Sequence, residues 1–151
     1  MNVYRVALIG HRELSHFGWL ETQLEKVMES LIRQNEFVEF YIGRNGEFDI
    51  LAASVFKQLT ERIGKEKSAL ILVLPYPVKD MPYYERYYDE VILPLPADTH
   101  FKSAIEKRNE WMVNHADLLV SWVEHRGGAH NLCKYARKHK KPIRELTKEI
   151  Q

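Results

Sequence analysis

The segment Ala69-Leu70-Ile71-Leu72-Val73-Leu74 decides the fold of this chain, because all six of its residues are apolar. A strand without polar alternation is covered on both of its faces, as the strands of a parallel sheet are. Comparable runs lie at residues 6–9, 38–42, 91–93 and 118–123, with a weaker one near residues 142–143. The sequence therefore predicts a mainly parallel sheet of about five to six strands.

Amphipathic segments separate these runs, and in each of them apolar residues recur at intervals of three or four. The four stripes are Leu20, Leu24, Val27, Met28 and Leu31; Leu51, Val55 and Leu59; Phe101, Ala104, Ile105 and Met112; and Ala129, Leu132, Cys133 and Ala136. Such spacing gives a helix one apolar face that packs against a sheet. The alternation predicts a doubly wound, Rossmann-like α/β fold with helices on both faces. Since the sequence has no repeat or linker, residues 1–151 are predicted to form a single domain.

Composition narrows the classes of function. The formal net charge of +1 gives no overall attraction to nucleic acid or to a membrane surface. The lone cysteine, Cys133, is typical of a reducing compartment. The sequence shows no signal-peptide pattern and no run of about 20 apolar residues, so we expect a cytoplasmic protein with no membrane partner. The seven histidines form no H-x-x-x-H pair, and we expect no metal and no cofactor.

The loop after the first apolar run is the first candidate for a binding site. In an open parallel sheet, ligands bind beyond the carboxyl ends of the strands, where the strand order reverses. This loop begins with Gly10, His11 and Arg12. A glycine permits close approach of a ligand, and an arginine can hold a phosphate through two hydrogen bonds. The alternative is a strand-ending glycine followed by solvated side chains.

The second run is followed by Gly43, Arg44, Gly46 and Glu47, at a predicted strand-to-helix turn. Two glycines three positions apart suit close approach of a ligand to the backbone. Glu47 directly follows Gly46 and is the candidate to accept hydrogen bonds from ribose hydroxyls or to act as a general base. For Glu47 and Asp49 the alternative is helix capping, because acidic side chains are favoured in the first turn of a helix.

Four further residues complete the predicted site. Tyr76 follows the third run and could stack on a base or pack against the neighbouring tyrosines. Arg108 lies at the centre of the third helical stripe. Since arginine is rarely buried without a partner, we expect it to reach a carboxylate or an anionic ligand, unless it extends along the helix to water. Gly127 and Gly128 precede the last predicted helix, which is typical of phosphate binding as well as of a plain loop.

Short motifs, most of them at the ends of the apolar runs, resemble those of a known family. They are Ile9-Gly10-His11-Arg12, Tyr41-Ile42-Gly43, Gly46-Glu47-Phe48-Asp49, Ala52-Ala53, Leu74-Pro75-Tyr76, Tyr88-Asp89-Glu90, Ala104-Ile105, Lys107-Arg108-Asn109, Trp111-Met112 and Gly127-Gly128-Ala129. In this order and spacing the chain resembles a family of small bacterial proteins in the SLOG superfamily. That superfamily joins the DNA-processing protein DprA/Smf to the LOG-type phosphoribohydrolases. The resemblance implies a Rossmann-like domain that binds a nucleotide or a nucleotide-derived ligand.

The LOG-type signature is matched only in part. These enzymes split the base from a nucleoside monophosphate with a P-G-G-x-G-T-x-x-E motif, in which the glutamate is catalytic. In the corresponding stretch here, Gly127 and Gly128 match the paired glycines, whereas Lys134 stands at the position of the glutamate. The resemblance therefore leaves open whether the chain is an enzyme.

Three functions follow from the sequence. The leading hypothesis is binding or sensing of a nucleotide or nucleotide-derived ligand at the carboxyl ends of the strands, with Arg12, Gly127 and Gly128 holding phosphate. The alternative is a nucleotide N-glycosidic hydrolase that uses Glu47 as its catalytic carboxylate. DNA handling, by analogy with DprA, ranks third, because the near-zero net charge disfavours a nucleic-acid partner. Self-association into a homo-oligomer is left open.

Overall fold

The computed structural model describes residues 1–44 and 46–146. In this part of the chain, strands and helices alternate in the order β1 (Val3–Gly10), α1 (Phe17–Gln34), β2 (Phe37–Ile42), α2 (Glu47–Ile63), β3 (Ser68–Val73), α3 (Met81–Tyr87), β4 (Glu90–Ile92), α4 (Phe101–His115), β5 (Leu118–Trp122), α5 (Gly128–Lys138) and β6 (Ile143–Glu145). Each apolar run of the sequence coincides with one of these strands to within a few residues at either end.

The six strands form one sheet in the order β4-β3-β2-β1-β5-β6, and every neighbouring pair is parallel. The chain places β2, β3 and β4 on one side of β1 and then returns to place β5 and β6 on the other side. The strand order therefore reverses between β1 and β5. The predicted Rossmann-like fold with a parallel, doubly wound sheet is confirmed.

The side chains of β1 show that the sheet is covered on both faces. Val6 and Leu8 belong to a buried cluster that includes the apolar residues of α1 and α2. Ala7 and Ile9 belong to a second cluster, with the apolar residues of α4 and α5. Because alternate residues of a strand point to opposite faces, a strand between two helical layers is apolar at every position. This arrangement explains the unbroken apolar runs of the sequence.

The apolar stripe of α4 differs from its prediction. Ala104 and Met112 are buried, but Phe101 is 67% exposed and Ile105 is 44% exposed. Because strands and helices run in opposite directions in this fold, α4 begins near the carboxyl ends of the strands. Its first turns lie beside a cavity there, which Ile105 lines, and they are only partly covered by the sheet.

Two further observations apply to residues 1–44 and 46–146. No helix there has both the length and the apolar character that a membrane crossing requires. No group of three or more His, Cys, Asp or Glu side chains in those ranges is placed to hold a metal ion.

Candidate functional site

A cavity of about 400 Å³ lies at the carboxyl edge of the sheet, where the strand order reverses. Most of the residues predicted to form the site line this cavity: Gly10, Arg12, Gly43, Arg44, Gly46, Tyr76, Arg108 and Gly128. His11, Glu47 and Gly127 are not part of the lining. Asp49 and Asn109 also line the cavity, although neither was predicted from the sequence to bind a ligand. Which lining residues contact a ligand stays a prediction.

Arg108 crosses from α4 to the end of β3. Its Nη1 donates a hydrogen bond to the Val73 carbonyl oxygen at 2.8 Å, and its Nε donates to Asn109 Oδ1 at 2.8 Å. Burial lowers the pKa of the Arg108 guanidinium, and the nearby Asp49 carboxylate opposes that effect. An arginine keeps its proton in such surroundings, so a fixed positive charge lies in the cavity wall. Nε and Nη1 thus have acceptors, whereas no acceptor for Nη2 occurs among the described residues.

Gly43 lies between this guanidinium and a carboxylate. A Cβ atom at this position would be 3.1 Å from Asp49 Oδ2 and 3.5 Å from Arg108 Nη1. The absence of a side chain at Gly43 therefore allows both groups to approach the end of β2. From the sequence, Gly43 was expected to let a ligand approach the backbone. In the structure, the groups close to it are the side chains of Asp49 and Arg108.

Asp49 is the one carboxylate in the cavity lining among residues 1–44 and 46–146. Burial raises its pKa from 3.8 to about 6, although the hydrogen bond from the Gly46 N–H and the positive charges of Arg108 and Arg12 oppose the rise. Its Oδ2 accepts that hydrogen bond at 3.3 Å, as expected for an acidic residue in the first turn of a helix. The carboxylate is thus both a cap for α2 and a titratable group in the cavity.

The loop between β1 and α1 is fastened to the start of α2. The Glu47 N–H donates to the Arg12 carbonyl oxygen at 2.9 Å, and Glu47 Oε1 accepts from the Leu14 N–H at 3.1 Å. A Cβ atom at Gly10 would lie 2.2 Å from Cγ of Phe48, so the packing requires glycine there. These contacts place the Glu47 carboxylate against the loop, and they hold Arg12 at the cavity.

His11 joins this loop to the one after β5. The residue is buried, and its Nε2 accepts a hydrogen bond from the Glu124 N–H at 2.7 Å. Its ring stacks on His125 with 3.9 Å between ring centroids. Burial and the neighbouring His125 lower the pKa of His11, although Glu124 raises it. A neutral imidazole is also what the bond requires, because only the unprotonated Nε2 can accept. His11 therefore braces the two loops that flank the cavity.

The start of α5 differs from the start of α2. Gly127 has φ 153°, a conformation that favours glycine, and no side chain caps the helix. Gly128 and Ala129 line the cavity, and the first N–H groups of α5 have no acceptor among the described residues. Unpaired N–H groups and the helix dipole together attract anions. By contrast, the first N–H groups of α2 already donate to the carbonyl oxygens of His11 and Arg12.

Tyrosines border the other side of the cavity. Arg44 Nη1 donates to the Tyr84 hydroxyl at 3.0 Å, and the Arg44 guanidinium lies 5.5 Å from the centre of that ring. Tyr76 lines the cavity and is 37% exposed, so its ring is open to a ligand. In the part of the chain that the structure describes, the lining thus contains three guanidinium groups, one carboxylate with a raised pKa, a helix N-terminus without a side-chain cap and an accessible aromatic ring. This combination suits an anion that carries an aromatic group.

No family model matches the sequence, and no curated protein matches it. Among solved structures, a chain of DNA processing protein A from Helicobacter pylori is similar, with a TM-score of 0.70. That structure is described for its single-stranded DNA binding mode. The two chains are 16% identical, and the match covers 98% of this chain and 67% of that one. At this level of identity the similarity shows the fold, which is Rossmann-like and similar to that of DprA.

The similarity contradicts two expectations drawn from the sequence. One was nucleotide sensing or hydrolysis as the function, and the other was that the near-zero net charge disfavours a nucleic-acid partner, whereas the similar protein binds single-stranded DNA. Net charge is a sum over the whole chain and does not report where the charges lie. Three positive charges, those of Arg12, Arg44 and Arg108, line the cavity. The proposed catalytic carboxylate of Glu47 accepts the Leu14 N–H and lies outside the lining.

Proposed function

We propose that this protein binds single-stranded DNA and holds a phosphate of the strand in the cavity at the carboxyl edge of the sheet. The observation that carries the proposal is the convergence of Arg12, Arg44 and Arg108 on one cavity whose lining, among the described residues, has a single carboxylate. Charge-assisted hydrogen bonds from guanidinium groups to phosphate oxygens are short and strong. The N–H groups at the start of α5, which have no acceptor among the described residues, add donors to the same lining.

The same lining favours an unpaired strand over a duplex. Tyr76 offers an accessible ring, and a base can stack on an aromatic side chain for roughly 1–3 kcal/mol. In a duplex both faces of each base are covered by its neighbours, so only a single strand can use this contact. The cavity is also a recess of about 400 Å³, which suits a phosphate and part of a nucleotide better than a rigid double helix.

Fluorescence anisotropy with a labelled 20-residue oligo(dT) tests the proposal. With about three arginine–phosphate contacts, the logarithm of the association constant should fall with the logarithm of salt concentration with a slope of about −2. Arg12→Ala should weaken binding roughly tenfold and reduce the slope by about 0.7, because one charged contact is lost.

Arg33→Ala is the matched control. Arg33 lies in the last turn of α1, at the opposite edge of the sheet, and its removal changes the net charge by the same amount. This variant should bind as the unaltered protein does. Absence of binding in 50 mM salt, or equal losses for Arg12→Ala and Arg33→Ala, would refute the proposal.

Two broader assignments accompany this function as proposals. The order of the motifs and the DprA-like fold support membership of the SLOG superfamily. The single six-stranded sheet supports the interpretation of residues 1–151 as one domain.

A further inference from the structure

The charges that line the cavity at the carboxyl edge of the sheet do not balance. Arg12, Arg44 and Arg108 carry three positive charges, and Asp49 is the single carboxylate of the lining among the described residues. The lining therefore has two positive charges in excess when Asp49 is ionised. A phosphodiester inside a strand has one negative charge, whereas a phosphomonoester at the end of a strand carries about −1.5 to −2 at neutral pH. A terminal phosphate matches the excess more closely.

These charged groups lie close enough to affect one another. Burial lowers the pKa of Arg108, the Asp49 carboxylate opposes that effect, and the like charge of Arg44 lowers the pKa further. Burial raises the pKa of Asp49, and the charges of Arg108 and Arg12 oppose that rise. The position that a Cβ atom would take at Gly43 is 3.1 Å from Asp49 Oδ2 and 3.5 Å from Arg108 Nη1. The excess positive charge is thus concentrated in a small volume, which favours an anion of matching charge.

The hydrogen-bond donors of the cavity also suit a phosphomonoester. The Arg12 guanidinium and Arg108 Nη2 have no acceptor among residues 1–44 and 46–146. The first N–H groups of α5 have no acceptor in those ranges either, and Gly128 at its start lies in the lining. A phosphomonoester presents three terminal oxygens to such donors, whereas a phosphodiester presents two. A terminal phosphate can therefore pair with more of the donors that the protein leaves unused.

The side of the cavity toward α4 and α5 is acidic. There the cavity continues into a second one, which shares residues such as Ile105, Asn109 and Gly128 with it. The second cavity is lined by Glu106 and Glu110, and its lining has no lysine or arginine among the described residues. A strand that continued in this direction would bring its next phosphodiester beside two carboxylates, which repel it. This side of the cavity therefore favours the end of a strand over its continuation.

We infer that the cavity at the carboxyl edge of the sheet binds the terminal phosphomonoester of a DNA strand in preference to an internal phosphodiester. This inference rests on the proposed function and specifies which part of a strand the site recognises. A 5′ phosphate and a 3′ phosphate share this chemistry. The preference comes from the charge and the oxygens of the phosphate, because stacking on Tyr76 is open to terminal and internal nucleotides alike.

Calorimetric titration with unlabelled oligo(dT) tests the inference at pH 7.5. Strands of eight residues are compared with a 5′ phosphate, with a 3′ phosphate and with hydroxyl groups at both ends. At least one phosphorylated strand should bind roughly tenfold more tightly than the hydroxyl strand, as expected when a hydrogen bond to a charged group is gained. A strand of ten residues with hydroxyl ends carries about the same total charge as a phosphorylated strand of eight. It should bind within about twofold of the hydroxyl strand of eight.

Arg12→Gln should reduce the preference for the phosphorylated strand to about threefold or less, because it removes one of the three positive charges. Arg33→Gln is the matched control outside the cavity, and it should keep the preference. Unchanged circular dichroism of both variants shows that a lost preference does not come from unfolding.

Three results would overturn the inference. Equal affinity of the unaltered protein for all strands of eight residues does so and leaves the proposed function intact. Binding of the ten-residue strand as tightly as a phosphorylated strand of eight shows that total charge alone is recognised. An undiminished preference in Arg12→Gln places the recognition of the phosphate outside the cavity. Failure to bind any of the strands overturns the proposed function itself.

Discussion

The replacement Asp49→Asn gives the sharpest test of the site's electrostatics. Asparagine keeps an oxygen that can accept the Gly46 N–H, but it removes the negative charge between Arg12 and Arg108. The native carboxyl has a pKa of about 6, against 3.8 for an ordinary aspartate, because burial penalises its ionised form. The variant therefore separates the capping hydrogen bond from the charge.

The sign and size of the effect follow from this pKa. A carboxyl whose pKa is raised by folding binds its proton more tightly in the folded state. The stability associated with that proton is fully present below pH 3.8 and is lost as the pH rises through about 6. A rise of this size corresponds to roughly 3 kcal/mol in the free energy of unfolding. Asp49→Asn should therefore be more stable than the unaltered protein at pH 7.5, by up to that amount, and about equally stable at pH 3.5.

Urea unfolding followed by tryptophan fluorescence measures this difference at the two pH values. Thermal unfolding should agree, with a shift of about 2–4 °C for each kcal/mol. Asp98→Asn is the control, since it removes the same charge from an exposed position in the loop before α4. The reasoning is refuted if Asp49→Asn gains no stability at pH 7.5, if it gains the same amount at both pH values, or if Asp98→Asn behaves identically.

Three other predictions follow from the site. The affinity for oligo(dT) at constant ionic strength should increase as the pH falls from 7.5 to 5.5, because protonation of Asp49 removes the carboxylate from the lining, and Asp49→Asn should flatten that part of the anisotropy profile. Gly10→Ala should destabilise the fold by about 1–3 kcal/mol or more, because the new methyl group would overlap the Phe48 ring, and a midpoint in urea equal to that of the unaltered protein would contradict this. His11→Phe should cost about 1–3 kcal/mol, because the Glu124 N–H loses its acceptor, and hydrogen exchange of that amide should accelerate.

The fold was predictable from the sequence because its cause is local and repeated. A strand covered by helices on both faces has to be apolar at nearly every position, and the segment from Ala69 to Val73 shows this directly. The helices carry the matching stripes, and α1 buries its whole predicted stripe from Leu20 to Leu31. Phe101 and Ile105 were misplaced because helical periodicity does not reveal where the sheet beneath a helix ends.

The site was predictable only to the level of its loops. Parallel strands end at one edge of the sheet, so the residues after β1, β2, β3 and β5 had to meet there, and Arg12 and Gly128 do line the cavity at that edge. The position of a side chain within a loop depends on contacts that are distant in sequence. Glu47 accepts the Leu14 N–H and lies outside the lining, whereas Asp49, two residues later, reaches the cavity.

Gly10 and Gly128 differ in the space around them, and this difference decides where the site can accept a new side chain. Gly10 is pressed against the Phe48 ring, so any side chain added there would overlap that ring and destabilise the fold. A Cβ atom at Gly128 would meet nothing within 4 Å, although this residue lies in the cavity wall. A new side chain can therefore be added at Gly128 without rebuilding the core. We therefore expect Gly128 to be the position at which a new side chain most readily changes what the cavity binds, while the contacts between the β1–α1 loop and α2 stay in place.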